Sequence, residues 1–256
     1  MIDWQASVSI LQAQGVLVYL LRGVVFTLVI SVCAVLVSLC IGAVLALVRN
    51  YCTGRTRVFK WLSTAYIELF RNTPLLFWIF ICLVFCPVPQ FLAHRMLGLT
   101  SVEVRILFRA FVALVLFESS IMAEIVRGGL NSVASGQFEA GHSQGFSTVQ
   151  IMRYIVLPQA FRAVVPTLLS QVISTIKDSS YLANVAVIEL MSRVRQILAT
   201  SNLYNGAGAQ LVSDVFVLFG LACVIYFLLT FALSCAVRSI QKQKPRQTAR
   251  PASARS

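Results

Sequence analysis

Long apolar stretches separated by short polar segments dominate the chain. No Asp, Glu, Lys or Arg occurs between Arg22 and Arg49, and two more charge-free stretches cover 72–94 and 215–237. A helix of about 20 apolar residues crosses the roughly 30 Å hydrocarbon core of a bilayer. Each of the three stretches is therefore long enough to form a membrane-spanning helix.

Two further apolar segments differ from these because they contain charged residues. The charged residues are Arg109, Glu118 and Glu124 in the first segment and Lys177, Asp178 and Glu189 in the second. Ionisable side chains at membrane depth are costly and usually face a polar interior, so we expect these two helices to line one. The pattern therefore predicts an all-α membrane protein with about five spans, at residues 20–48, 72–94, 106–127, 162–190 and 213–237.

The composition supports the membrane class. Of the 256 residues, 58% are hydrophobic, and the mean hydropathy is +0.83. The first 21 residues contain no Lys or Arg, unlike a secretory signal, so the first span is expected to be retained.

Basic residues give a formal net charge of +12, and their positions decide what this charge means. With five spans, fourteen of the 21 basic residues lie on one side of the membrane: Arg49, Arg55, Arg57, Lys60, Arg71, Arg127, Arg153, Arg162, Arg238, Lys242, Lys244, Arg246, Arg250 and Arg255. Six lie on the other side: Arg22, Arg95, Arg105, Arg109, Arg193 and Arg195. Basic loops stay in the cytoplasm. We therefore expect a cytoplasmic C-terminus, an N-terminus outside, a disordered basic tail at 241–256, and no nucleic-acid partner.

Neither a metal site nor a nucleotide site is indicated. Cys82 and Cys86 lie one helical turn apart, but the two histidines, His94 and His142, fall in loops predicted on opposite sides of the membrane. None of the glycines begins the Gly, four residues, Gly-Lys run that cradles phosphates. We therefore expect no catalytic residue, no metal and no cofactor in this chain.

The longest polar segment between predicted spans has the pattern of two short helices joined by a sharp turn. Ser135 is a predicted N-cap whose hydroxyl accepts from free backbone amides, and Gly145 suits a left-handed residue closing the first helix. Ser147 and Gln150 have capping-box spacing, so a second helix is predicted to begin there and to end at about Leu157, before a proline.

The same segment resembles the signature loop of the permease subunits of ABC importers. That signature is Glu-Ala-Ala, three residues, Gly, nine residues, a branched apolar residue, one residue, then Leu-Pro. It is matched by Glu139, Ala140, Gly145, Ile155, Leu157 and Pro158, with Gly141 in place of the second Ala. The stretches 66–75, 123–129, 157–162 and 177–180 are similar to the polar amino-acid branch of the family.

The resemblance implies a type I ABC importer permease fold in a bacterial inner membrane. It implies a transmembrane domain over 1–240 with a cytoplasmic coupling loop at about 130–160. The implied partners are a dimer of separate ATPase subunits that binds the ATP and Mg, a second permease chain, identical or homologous, and an extracytoplasmic amino-acid-binding protein. The implied substrate is a polar amino acid, with glutamate/aspartate or glutamine favoured.

The resemblance also implies roles for individual residues. Contacts with the ATPase are expected from Glu139, Ala140, Gly141, Gly145, Leu157 and Pro158. A substrate pocket within the spans is expected near Glu124, Asp178 and Ser179, together with Lys177. For Glu124 the alternative is a local ion pair with Arg127, three residues along the same helix. For the whole chain the alternative is a subunit of an ion-coupled secondary transporter.

Overall fold

The computed structural model describes residues 2–92, 94–96 and 98–242, and the regular elements of this part of the chain are helices joined by short loops. The α-helices are α1 (Trp4–Gln12), α2 (Val16–Tyr51), α3 (Arg57–Arg71), α4 (Leu75–Phe85), α5 (Ser101–Asn131), α6 (Gly136–Ser143), α7 (Thr148–Ile151), α8 (Leu157–Asp178), α9 (Leu190–Ala199) and α10 (Val212–Lys242). A π-helical turn, Met152–Val156, joins α7 to α8, and a 3-10 segment, Ser179–Val185, follows α8. Of the predicted basic tail, 243–256 lies outside the described residues.

Four helical segments of the described chain are long and apolar enough to cross a membrane. They are Val16–Tyr51, Ser101–Asn131, Thr148–Val185 and Val212–Ser239. A fifth candidate is the pair formed by Gly54–Arg71 and Leu75–Phe85, which is bent by 110° at the break. The predicted fold class, all-α with about five spans, is confirmed.

The second predicted span, 72–94, is helical over only part of its length. α4 has 11 residues, which corresponds to about 16 Å at the usual rise of an α-helix. It ends at Phe85, with Cys86 as its C-cap, because Pro87 and Pro89 follow and cannot continue the backbone hydrogen bonds. The carbonyl of Cys86 instead accepts a 2.9 Å hydrogen bond from Nε of Arg109, one of the charged residues within the apolar segments.

Helices α2 and α5 form the centre of the fold because small residues let their backbones approach closely. Ser31, Ala34, Ser38, Gly42 and Ala46 recur every three or four residues along the buried face of α2. A Cβ added at the glycine of this row would lie within 3 Å of atoms of α5, including a backbone nitrogen and a carbonyl oxygen. Small residues at such seams are the usual means of packing helices in membranes.

The remaining helices pack around this pair. Leu75 and Ile79 of α4 join a buried cluster with Ala110 and Leu114 of α5. On another side of α2, helices α9 and α10 meet it in a second cluster that includes Leu20, Leu190 and Leu218.

Glu189 is the N-cap of α9 and does not lie within the preceding helix. Its carboxylate accepts from the backbone amides of Met191 and Ser192 and from the hydroxyl of Tyr226 at 3.0 Å. The chain turns just before it, at Ala186, whose φ is 59°. Donors on α9 and α10 therefore satisfy the hydrogen bonding of this buried carboxylate. Glu189, one of the charged residues that the sequence predicts at membrane depth, thus has a structural role.

Candidate coupling loop and intramembrane charges

Helix α6 and helix α7 are joined by the sharp turn that the sequence predicts. Gly145 has φ of 79°, and its amide donates to the carbonyl of His142 at 2.9 Å. The amide of Phe146 donates to the carbonyl of Gly141 at 3.1 Å. These two bonds form the Schellman arrangement, in which a left-handed glycine satisfies the last carbonyls of a helix. The predicted left-handed role of Gly145 is confirmed.

The caps of the two helices agree with the sequence in one case and differ in the other. Ser147 and Gln150 form the predicted capping box: the hydroxyl accepts from the Gln150 amide at 3.3 Å, and the Gln150 side chain accepts from the Ser147 amide at 2.8 Å. Ser135 is the N-cap of α6, as predicted, but its hydroxyl caps nothing. Its backbone is already helical, with φ of −56° and ψ of −33°, whereas a capping side chain needs an extended residue.

The second loop helix does not end before Pro158, so that prediction is wrong. The π-helical turn lies between α7 and α8, and Pro158 falls in the first turn of α8. A proline is tolerated there because the first amides of a helix have no intrahelical acceptor. The chain is therefore helical from the loop into the membrane-spanning segment.

The loop is anchored to the spans on one side and exposed on the other. Ile151 and Val156 are fully buried in a cluster with Leu130 of α5 and Ala46 of α2. The side-chain amide of Gln159 on α8 donates to the side-chain oxygen of Gln137 on α6 at 3.2 Å. The face that remains open includes Glu139, Ala140, Gly145, Val149, Tyr154, Leu157 and Pro158.

Gly141, the departure from the family signature, has a steric role. It is the buried residue of α6. A Cβ at this position would lie 2.6 Å from Cγ1 of Ile151, which is closer than van der Waals contact allows. The glycine therefore lets α6 and α7 pack directly against each other.

Glu124 lies in a network of ion pairs at one end of the helix bundle. Its carboxylate is paired with guanidiniums from three helices: Arg49 of α2, Arg71 of α3 at 3.6 Å, and Arg127 of α5 at 2.7 Å. Glu68 of α3 also pairs with Arg49, at 3.2 Å. The side chain of Glu124 is 17% exposed. The ion pair with Arg127 is confirmed as one part of this larger network.

The residues at the end of α8 differ in their environments. Lys177 is exposed and Asp178 is half-buried. Ser179 is fully buried, and its hydroxyl donates to the carbonyl of Ile176 at 2.8 Å. These three residues follow one another in the chain, and none of them is among the ion-pair or hydrogen-bond partners of Glu124 in the described residues.

Sequence reasoning missed the partners that hold these charges. Arg49, Glu68 and Arg71 were visible only as flanking charges, because they are brought to Glu124 by helices distant in sequence. Gln171, whose side chain contacts Glu118, carries no charge and has no motif around it. Spacing along the helix could have pointed to Gln171, because it lies seven residues before Asp178 and therefore on the same face of α8.

About five helical spans, a structured polar loop anchored to them and ionisable side chains inside them define a membrane transport permease. The chain belongs to the family of binding-protein-dependent transport system inner membrane components, whose model matches residues 38–246. It is thus a multi-pass inner-membrane protein.

Individual relatives give a consistent picture. The chain is 33% identical to the probable glutamine ABC transporter permease protein GlnP of Bacillus subtilis over 90% of this chain and 95% of the relative. It is 33% identical to the glutamate/aspartate import permease protein GltK of Escherichia coli O6:H1 over 94% and 97%. A crystal structure of an amino acid ABC transporter with histidines superposes with a TM-score of 0.72 at 22% identity, covering 95% of this chain and all of that one.

Proposed function

We propose that this chain is one of two permease subunits in an ATP-driven importer of a polar amino acid, and that helices α6 and α7 couple it to a separate ATPase. The observation that carries the proposal is the rigid, exposed loop within a chain of this family. Family membership supports the importer class, and the relatives named for glutamine and for glutamate/aspartate support the substrate class.

Coupling through this loop is a shift between conformational states. ATP binding favours one arrangement of the ATPase subunits, and a rigid contact passes that preference to the spans. Rigidity at the loop comes from the Schellman turn at Gly145, the capping box at Ser147 and the buried side chain of Ile151. The exposed side chains of Glu139, Val149 and Tyr154 offer the ATPase both charge and apolar area.

The distribution of basic residues supports a cytoplasmic position for this loop. Arg153 and Arg162 belong to the richer set of flanks, together with the residues of the C-terminal tail. The C-terminus is then cytoplasmic and the N-terminus outside. Five helices seldom enclose a route alone, so a second permease chain completes the path, and an extracytoplasmic binding protein delivers the amino acid. ATP and Mg bind the ATPase partner.

Within the spans, we assign substrate contact to the α8 region and helix packing to Glu124. Three arginines already engage the carboxylate of Glu124, and a ligand would have to displace them. Lys177 and Asp178 are accessible from the outer surface of the isolated chain. Ser179 is fully buried, and its hydroxyl already donates to the carbonyl of Ile176, so toward a substrate it could act only as an acceptor.

The test uses two substitutions at Gly145. Valine at φ of 79° strains the backbone, whereas asparagine tolerates the left-handed region, and open space surrounds the position in either case. We would affinity-purify each form with the products of neighbouring genes from gently solubilised membranes. The expected result is that the natural chain and Gly145→Asn retain an ATPase and Gly145→Val loses it. An ATPase that co-purifies with none of the forms would contradict the proposal.

A further inference from the structure

Helix α3 presents three different faces. One face is buried against the bundle and consists of Ser63, Ile67 and Phe70. A second face is exposed and apolar, with spacings of four, three and four residues: Val58, Leu62, Ala65 and Leu69. The third face is polar and is made of Arg57, Lys60, Thr64, Glu68 and Arg71. An exposed apolar face beside a basic polar face is typical of a helix that lies on a membrane surface.

The direction of α3 agrees with such a position. Helix α4 packs against α5, a candidate span, and contributes Leu75 and Ile79 to their shared buried cluster. The bend between α3 and α4 is 110°, so the two helices are close to perpendicular. Helix α3 therefore runs across the bundle rather than along it.

The level of α3 in the bundle also matches a membrane surface. The hydroxyl of Ser63 donates to the carbonyl of Leu45 at 3.0 Å, and Glu68 pairs with Arg49. Both partners lie in the last two turns of α2, where its charge-free stretch ends at Arg49. The same end of α2 shares a buried cluster with Ile151 of α7. Helix α3 thus lies at the end of the spans that carries α6 and α7.

The first turn of α3 carries positive charge without a negative partner. Arg57 and Lys60 lie in this turn, Arg55 comes just before it, and all three are exposed. The turn contains no acidic residue, and the ion pairs of the described residues do not include these three side chains. The dipole of a helix disfavours positive charge at its N-terminal end. The arrangement therefore indicates an anionic group from outside the chain.

Trp61 lies at the border between the polar face and the exposed apolar face. It is one turn after Arg57 and one turn before Ala65, and it is 65% exposed. Tryptophan is enriched at the boundary between bilayer and water because its ring is apolar and its N–H is polar. The side chains around α3 are therefore ordered as basic, aromatic and aliphatic, which matches the headgroups, the interface and the acyl chains of a lipid leaflet.

A second permease chain is the other candidate to cover the apolar face. The charged surroundings argue against it, since the cores of protein interfaces are depleted of charged residues. A second copy would also bring its own Arg57 and Lys60 to a two-fold contact through this face, where like charges repel. Anionic headgroups, in contrast, complement these side chains.

We propose that α3 is an interfacial anchor that binds anionic phospholipids. Its apolar face enters the boundary of the acyl chains, while Arg55, Arg57 and Lys60 bind the phosphate-bearing headgroups. This lipid contact goes beyond the proposed transport function. Because the other end of α3 supplies Arg71 to the ion-pair network around Glu124, the same contact steadies that network.

The experiment measures which lipids touch Trp61 in the purified permease assembly, reconstituted into vesicles with the subunits that accompany it. Bromine atoms on an acyl chain quench the fluorescence of a tryptophan that they contact. Phosphatidylcholine brominated near the headgroup is compared with phosphatidylcholine brominated near the chain end. The quenching lost in the Trp61→Phe variant is assigned to Trp61. Trp78→Phe is the control, because Trp78 stacks on Phe70 and its N–H donates to Thr73.

A second series measures headgroup preference at the same tryptophan. Brominated phosphatidylglycerol is mixed with ordinary phosphatidylcholine, and the mixture is repeated with the bromine on the other lipid. The variants are Arg57→Gln and Lys60→Gln. The matched control is Arg238→Gln, which removes an exposed positive charge of the same set of flanks from a different helix, α10.

We expect the bromines near the headgroup to quench Trp61 more strongly than those near the chain end, and Trp78→Phe to leave the quenched intensity unchanged. Phosphatidylglycerol should be preferred at Trp61. The preference should fall about fivefold in Arg57→Gln and in Lys60→Gln, because each basic residue near an anionic surface contributes about that factor. It should weaken in high salt and persist in Arg238→Gln.

Three results would overturn this inference. Absence of quenching at Trp61 by either brominated lipid would mean that a second chain or water covers the face. Stronger quenching by the bromines near the chain end would place α3 within the span. Equal association of the two headgroups, or equal losses in Arg57→Gln and Arg238→Gln, would remove the role of the basic residues. None of these measurements requires transport, so they test the lipid contact separately from the importer function.

Discussion

Two adjacent glycines on α5 provide a sharp test of how closely α5 packs against α8. A Cβ added at Gly129 would overlap Cγ1 of Val164 and lie 3.0 Å from the carbonyl oxygen of Ala160. Val164 is 6% exposed and, being β-branched in a helix, has one strongly preferred rotamer. It therefore cannot swing away from an added methyl group. A Cβ at Gly128, in contrast, would meet nothing within 4 Å.

The difference between Gly129→Ala and Gly128→Ala isolates the cost of this contact. Each substitution gains about 1 kcal/mol of helix propensity, which cancels in the comparison. Overpacking costs about 1–3 kcal/mol. At about 2–4 °C per kcal/mol for a chain of this size, Gly129→Ala should unfold roughly 2–12 °C below Gly128→Ala. Thermal unfolding of the purified chains measures this, and equal midpoints would refute close packing at this seam.

Two further substitutions test the charge network and the loop. Glu124→Gln should lower the unfolding free energy by about 2 kcal/mol, because it leaves three arginines facing one another without a carboxylate. The loss is smaller than for a fully buried ion pair, since the site is partly exposed. Thermal unfolding at low and high salt measures it, and an unchanged midpoint at low salt would contradict the prediction. Ser147→Ala should cost about 1 kcal/mol of loop stability and speed amide exchange in α7. The control is Ser143→Ala, whose hydroxyl only donates back to a carbonyl of its own helix, and equal exchange in both variants would count against the capping box.

Local chemistry made much of the coupling loop predictable. A left-handed glycine and a capping box depend on residues within a few positions of each other, so Gly145, Ser147 and Gln150 could be assigned from sequence alone. Pro158 misled because a proline is tolerated in the first turn of a helix, and α8 begins at Leu157, directly after the π-helical turn. The hydroxyl of Ser135 misled because capping depends on backbone angles, which the sequence does not specify.

The presence of the membrane-spanning helices could be predicted from sequence, but the residues at which they end were harder to predict. Apolar composition alone indicated a span at 72–94, but Pro87 and Pro89 lie inside that range and end α4 early. Two of the three arginine partners of Glu124, Arg49 and Arg71, could not be predicted, because they depend on how helices distant in sequence pack. The same holds for the contact between Glu118 and Gln171, which are 53 residues apart.

The central claim is that this chain moves an amino acid only when a separate ATPase drives it. The most direct measurement is uptake of labelled glutamine and glutamate into proteoliposomes that contain the permease assembly and enclose ATP. The binding protein is added outside, and the ATPase subunit is either present or left out. We predict uptake that requires both the ATPase and ATP. Uptake without the ATPase, driven by a sodium or proton gradient, would contradict the account and favour an ion-coupled transporter.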